Sequence, residues 1–257
     1  MSSSSISLTF GDVAENHRGM QKIGKISDDG FDLVDLENIK NWFENNGCEC
    51  KIVSLHLLLD ESLRTNNEAY VLIVKNAVNI LLDDNEGKDK LFDEQNVLEK
   101  DTKAYMYGRV VNKHARHNLC FGEDHQEPNY EEGRGRIYAF DEVPLLNKIR
   151  DKLGEIVGEK GTKLQAEGNY YYDVKKCGIG FHGDAERKKV IALRLGVSNP
   201  LCYAWYHNST KISDKLTINE LEHGDMYVMS EKATGFDWKC KKKYTLRHAA
   251  GCDKYTN

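Results

Sequence analysis

The clearest helical repeat in the chain runs from Val143 to Val157, where apolar residues recur at Leu145, Leu146, Ile149, Leu153 and Ile156 and Pro144 stands near the first turn. A second amphipathic helix is predicted over Asp35 to Asn46, with Leu36, Ile39, Trp42 and Phe43 on one face and Gly47 as its stop; a strand from Cys50 to Leu58 should follow. Tyr70 to Leu82 is rich in β-branched residues and reads as one or two strands. Asp84 to Lys103 is so charged and unpatterned that a loop is expected, with at most a short surface helix. Beyond Val157 the pattern changes to short strands separated by turn residues: Gly168 to Tyr172, Val190 to Leu195, Leu201 to Tyr206, Lys215 to Ile218, Asp225 to Met229 and Tyr244 to Ala249. This order predicts an α+β chain ending in a β-sandwich or barrel.

With 257 residues, 40% of them apolar and 30% charged, the chain can bury a substantial core, as one domain with an appendage or at most two small domains. No apolar run reaches the roughly 18 to 20 residues that cross a bilayer, and the opening MSSSSISLTFGDV lacks the charged-then-apolar pattern of a secretory signal. An intracellular monomer, cytoplasmic or nuclear and away from membranes, is expected. Seven scattered cysteines suit reduced thiols better than a disulfide framework, and Cys48-x-Cys50 is too tight and too isolated for a zinc knuckle. A net charge of -5 weighs against a broad electrostatic grip on nucleic acid, though a local basic surface is compatible with it.

The candidate chemistry lies in Gly180-Phe181-His182-Gly183-Asp184, which sets an imidazole and a carboxylate two residues apart, and in Tyr244-Thr245-Leu246-Arg247-His248, which brings a second imidazole on a predicted strand. Two histidines and one carboxylate can occupy one face of an iron octahedron and leave three positions open, which a four-ligand structural zinc site does not. His-x-Asp alone is a weak signal, and His223 and His207 compete for the third place, although both look like turn residues. Gly178-x-Gly180-x-x-Gly183 satisfies a dinucleotide fingerprint, but strands rather than a crossover helix follow it.

From about Arg116 to the C-terminus these motifs stand in a particular order: ARHNLCFG, then Tyr130 and GRGR, the helix opened at VP, GNYYYDVKKCGIGFHGDAE, VIALRLG, LEHGDMYVMS and TLRHAAG. In that order the chain resembles the AlkB-like branch of the 2-oxoglutarate oxygenases. The resemblance implies a double-stranded β-helix (jelly-roll) core with flanking helices over residues 66–257; it does not cover the N-terminal α/β extension, 1–65, and the sequence leaves open whether that extension binds a partner, caps the barrel or extends a sheet. It implies Fe(II) held by His182, Asp184 and His248, with 2-oxoglutarate and O2 as co-substrates and release of succinate and CO2. Asn169, Tyr170 and Tyr172 fall on the strand that contacts 2-oxoglutarate in that family, with Tyr172 fitting the family's tyrosine best, and Glu186 falls on its acidic position. Arg116, His117, Tyr130, Arg134, Arg136 and Glu186 are the candidates for a lid over the substrate, with a solvated charged loop as the alternative reading of the region before the helix.

One departure from the family is plain. Its members carry an arginine after the last histidine to pair with the distal carboxylate of 2-oxoglutarate, whereas here only Lys254 supplies a cation there. The alternation of Val190 to Leu195 offers a substitute: Ile191, Leu193 and Leu195 share one face, and Val190, Ala192 and Arg194 the other. A guanidinium beside small residues inside a barrel needs an anionic partner, and related jelly-roll oxygenases can hold the carboxylate from this strand with a lysine. Arg194 is therefore the expected clamp, with a structural ion pair, Arg247 or Lys254 as the alternatives. The substrate implied by the family is a nucleic-acid base. The acidic Glu123, Asp124, Glu131 and Glu132 keep a protein or small-molecule substrate open, and a catalytically inactive oxygenase fold used as a binding module is a further alternative.

Overall fold

Strand β1 (Ser5–Gly11) alternates hydroxyl with apolar side chains, Ser5, Ser7 and Thr9 against Ile6, Leu8 and Phe10, and all are buried. In the computed structural model, which describes residues 3–257, this strand lies inside the main sheet. It is followed by β2 (Val13–Glu15), β3 (Lys22–Gly24), helix α1 (Leu33–Asn45), β4 (Cys50–Ser54), α2 (Glu61–Arg64), β5 (Tyr70–Val74), α3 (Ala77–Leu82) and α4 (Gly87–Val97). Next come β6 (Lys103–Met106), β7 (Arg109–Asn112), β8 (His117–Gly122), β9 (Ile137–Ala139), α5 (Pro144–Val157) and β10 (Gln165–Tyr171). The C-terminal part holds β11 (Gly178–His182), β12 (Val190–Gly196), β13 (Leu201–His207), β14 (Thr210–Lys211), β15 (Leu216–Ile218), β16 (Met226–Met229), α6 (Glu231–Thr234), β17 (Tyr244–Gly251) and α7 (Asp253–Thr256).

The larger sheet has eight strands in the order β4, β5, β16, β12, β1, β10, β8, β9, antiparallel except for the parallel edge pair β8 and β9. The smaller sheet has five, ordered β11, β17, β13, β14, with β15 also on β13. Ile6, Leu8 and Phe10 of β1 and Ile191, Leu193 and Leu195 of β12 share an apolar core with Leu36, Ile39 and Phe43 of α1 and Leu146, Ile149 and Leu153 of α5. The other face of the large sheet sends Val190, Ala192, Tyr227 and Met229 against Tyr203, Trp205 and Leu246 of the small sheet. The chain is thus a mixed α+β protein, mainly two facing β-sheets with helices outside the larger. A one-residue slip of β1 would exchange three large apolar side chains for hydroxyls, at roughly 1.5–3 kcal/mol for each apolar residue exposed, so its register is strongly specified.

Helix α1 begins in a capping box, Asp32 accepting from the Asp35 N–H and Asp35 from the Asp32 N–H, both at 2.9 Å, and Gly47 follows its end with φ +86°. Helix α5 has Pro144 in its first turn, as its sequence predicts. Among the described residues no helix is long and apolar enough to cross a membrane.

The structure settles two expectations left open by the sequence and corrects a third. Of the roles left open for residues 1–65, they take that of extending a sheet: residues 1 and 2 lie outside the described part, but β1 sits between β10 and β12, and β4 pairs with β5. Its alternating serines pass in sequence for a polar linker. Tyr70 to Leu82 is a strand only to Val74, because Asn76 turns left-handed (φ 53°) and Asp225 holds the turn, accepting from the Asn76 N–H at 2.8 Å and from Lys75. Asp84 to Lys103 holds the short surface helix that its sequence allows, α4, which buries only Gly87, Leu91 and Gln95 and so shows almost no apolar pattern.

Candidate metal centre and its cleft

Antiparallel pairing of β11 with β17 sets His182 opposite His248, and an irregularity in register between Ile179 and His182 adjusts the strand just before the first histidine. Asp184 follows in the turn, where its backbone N–H donates to the Thr234 carbonyl at 2.8 Å. Its Oδ1 lies 3.6 Å from Nε2 of each histidine. One ligand atom from each of the three lies within 4.8 Å of the other two. His182 Nδ1 donates to the Gly180 carbonyl at 2.8 Å, which leaves the Nε2 lone pair facing Asp184 and His248.

Burial, and next the adjoining His248, push His182 down to about 3, which keeps the imidazole neutral. Burial resists ionisation of Asp184, but Arg187 and the two imidazoles outweigh it, and its carboxyl is held below the ordinary range. A neutral imidazole and a carboxylate are the forms a metal ion takes. The competing histidines are elsewhere: His223 accepts from the Gly196 N–H at 3.0 Å and faces Asp89, and His207 stacks on Tyr244.

Behind Asp184 stands Arg187, almost fully buried, with Nη2 2.7 Å from Glu167 and 3.0 Å from Glu186 and Nε 3.5 Å from Asp184 Oδ2. Three carboxylates around one guanidinium fix the orientation of the aspartate. Burial first, and then Asp184, raise Glu186.

The histidines and aspartate open into a cleft of about 490 Å³ between the sheets. Arg194 of β12 lines it, only 2% exposed, its Nε and Nη1 without a hydrogen-bond partner and its guanidinium 5.4 Å from the centre of the Tyr227 ring. An unpaired buried charge costs several kcal/mol, and a guanidinium in that condition has donors free for an anion. Asn118 and Asn169 form a polar wall: Asn169 Oδ1 accepts from Arg116 Nε at 2.5 Å and from Asn118 Nδ2 at 2.8 Å, while Lys113 donates to Asn118 at 3.0 Å and to Asn16 at 2.7 Å.

No family model matches the chain. Over 251 residues, 97% of this chain and 96% of the relative, it is 49% identical to "Uncharacterized protein R156" of Acanthamoeba polyphaga mimivirus. The chain belongs to the family of that viral protein.

In this member of the family the cleft gathers some of the residues expected from sequence and leaves out others. His182, Asp184, His248, Arg194, Asn169, Arg116 and Glu186 all line it. Tyr170 and Tyr172 do not. On β10 the cleft-facing positions are Glu167, Asn169 and Tyr171, so Tyr170 points into the apolar core, where its hydroxyl donates to Gln95 at 2.7 Å. Tyr172 lies past the strand end, 42% exposed, its hydroxyl donating to the His114 carbonyl and its ring stacked on His117. Lys254 is exposed in α7 over the Tyr255 ring, and Arg247 packs against Tyr206 and Trp238, so neither reaches the cleft.

Of the expected lid, His117, Tyr130, Arg134 and Arg136 are also outside the cleft. Tyr130 donates to the buried Asp101 at 2.6 Å, Arg136 pairs with Glu99 and Glu127, and Arg134 lies exposed near Glu132. The residues that take their place come largely from the segment after β1, including Glu15, Asn16, His17 and Arg18, with Trp238 and Lys239 opposite. Sequence reasoning does not single out Glu15, Asn16, His17, Arg18 or Lys239, nor Arg187, Tyr171 and Ser7; Trp238 it offers as a candidate entrance residue, with a core role preferred. The strict alternation of β1 was the one available signal.

Proposed function

We propose that the chain is an Fe(II)- and 2-oxoglutarate-dependent dioxygenase whose facing sheets form a double-stranded β-helix, or jelly-roll, of the AlkB-like type. The observation that carries this reading is one cleft holding both a His182, Asp184 and His248 cluster and the unpartnered guanidinium of Arg194. Two imidazoles and one carboxylate leave coordination positions open, and a second anchor of opposite charge suits a ligand that chelates at one end and carries a carboxylate at the other. When bound, iron with 2-oxoglutarate and O2 would supply hydroxylation or oxidative demethylation at a C–H bond, with release of succinate and CO2.

The protein's own part is positioning. The Gly180 carbonyl holds the His182 tautomer, Arg187 holds Asp184, and Arg194 receives the distal carboxylate. Arg18, Lys22, Arg116 and Lys239 in the lining suit a substrate with negative charge, a nucleic acid among them, against Glu15, Glu167 and Glu186 on the same lining. The absence of Tyr130, Arg134 and Arg136 from the cleft keeps a protein or small molecule as the second reading.

The deciding experiment is anaerobic addition of Fe(II) and then 2-oxoglutarate to metal-free protein. A weak visible charge-transfer band, lost in His248→Ala, supports the reading. No band in the wild type, with no succinate on admitting oxygen, rejects it in favour of an inactive oxygenase fold that serves as a binding module.

A further inference from the structure

The buried end of the cleft has more unused donors than Arg194 alone. Ser7 of β1 is the Cα partner of Arg194 on one side and of Asn169 on the other, lines the same cleft, and is 4% exposed. Its hydroxyl has no hydrogen-bond partner. Buried hydroxyls are ordinarily bonded, and one left unmatched costs about 1–3 kcal/mol. Here it stands on the strand neighbouring a guanidinium whose Nε and Nη1 are unmatched too. Three donors with no acceptor, carried by paired residues of neighbouring strands on one cleft, suit a group with several lone pairs. A carboxylate has about four lone-pair sites on two oxygens, enough for a bidentate arginine and a hydroxyl together.

We infer that Ser7 is the second half of the carboxylate seat, so that the N-terminal strand joins Arg194 in selecting an oxo acid with a charged far end. This rests on the co-substrate reading above, and it goes beyond it by assigning a specificity-determining role to a strand outside the region of resemblance. Thr9, two residues on, lies on the same face of β1 and lines the cleft, while Ile6 and Leu8 are locked in the apolar core, so the hydroxyl face of the strand cannot turn away.

The test measures binding, not turnover. Full-length protein loaded with Mn(II) is titrated calorimetrically with 2-oxoglutarate and with 2-oxobutyrate, which has the same chelating end but a methyl terminus. Ser7→Ala is expected to weaken 2-oxoglutarate by about tenfold or more while leaving 2-oxobutyrate unchanged, because one hydrogen bond to a charged group is lost. Ser7→Thr, which keeps the hydroxyl, should retain wild-type preference, and Ser7→Asp should abolish 2-oxoglutarate binding by charge repulsion. If Ser7→Ala binds 2-oxoglutarate like the wild type while Arg194→Met does not, the clamp stands and the role of Ser7 is overturned. Equal weakening toward both oxo acids overturns it as well, since that marks a general disturbance of the cleft. If the wild type binds no 2-oxoglutarate at all, the co-substrate reading itself has failed and the role of Ser7 falls with it.

Discussion

His182 and His248 are cross-strand partners on β11 and β17, their ring centres 4.4 Å apart, and Asp184 Oδ1 lies 3.6 Å from the Nε2 of each. Side chains directly opposite each other in an antiparallel pair are held close by the backbone ladder itself. The two imidazoles are therefore placed without loop closure, and Asp184 is fixed in its turn by the Thr234 carbonyl and by Arg187, so metal should bind a largely preorganised site. Mn(II) or Fe(II) at 100 times its dissociation constant should stabilise the wild type by about 2.7 kcal/mol, reversed by chelator. His248→Ala should lower metal affinity by about 100-fold or more, beyond what loss of an outer-shell partner does. An unchanged affinity in that variant would put the metal elsewhere.

Arg194→Met separates a ligand clamp from a structural ion pair. An arginine whose partner is another protein group costs about 3–5 kcal/mol when the pair is broken. Arg194 Nε and Nη1 have no such partner, so urea unfolding of the ligand-free variant should show stability equal to or above that of the wild type. The same variant should need about 100-fold more 2-oxoglutarate, through loss of charge-assisted hydrogen bonds of about 1.5–3 kcal/mol each. A marked fall in ligand-free stability would show that the guanidinium serves the fold.

Arg187→Met should behave in the opposite way. Its guanidinium sits among Glu167, Asp184 and Glu186, all largely withdrawn from solvent, and removing it leaves three carboxylates facing one another. Unfolding in urea at neutral pH should reveal a loss of about 3–5 kcal/mol, recovered in part when metal is added because the cation replaces some of the missing charge. Stability within 0.5 kcal/mol or so of the wild type would mean the carboxylates are not held by this residue.

How far these residues were legible in the sequence depends on what each needed to be seen. The helix at Pro144 to Val157 and the strand carrying Arg194 announce themselves by period alone, and the opposite faces of Ile191 and Arg194 follow from alternation. Tyr171 was obscured because three consecutive tyrosines offer two alternations, and only pairing of β10 with β1 and β8 decides which ring faces the cleft. Tyr130 and Arg136 look like exposed recognition residues in sequence, but Asp101 and Glu99, which hold them, come from a separate segment that no local pattern links to them. β1 was hidden by its composition. Serine and threonine on alternate positions show no strand pattern of the usual apolar kind until a sheet is found on both sides of them, and the resemblance, which does not reach residues 1–65, offers no other guide to that strand.

The last prediction concerns Lys113, whose ammonium is held between Asn16 and Asn118 behind the polar wall of the cleft. Burial pushes it down to about 8 from the usual lysine value of 10.5, with Asp101 opposing the shift. Between those two values the unfolded chain binds this proton and the folded chain does not, so for this group stability rises with pH; below about 8 its burial cost is fully present, and above about 10.5 it is fully relieved. Other buried groups titrate in the same range, among them Cys50 and Lys100, so the readout is the difference between wild type and Lys113→Met in urea unfolding from pH 7 to 11. The wild type should gain stability relative to the variant as pH rises through the window. A difference that stays flat, or that falls with pH, would mean that the lysine keeps its proton in the fold, and that Asn16 and Asn118 with Asp101 nearby stabilise the charge more than burial opposes it.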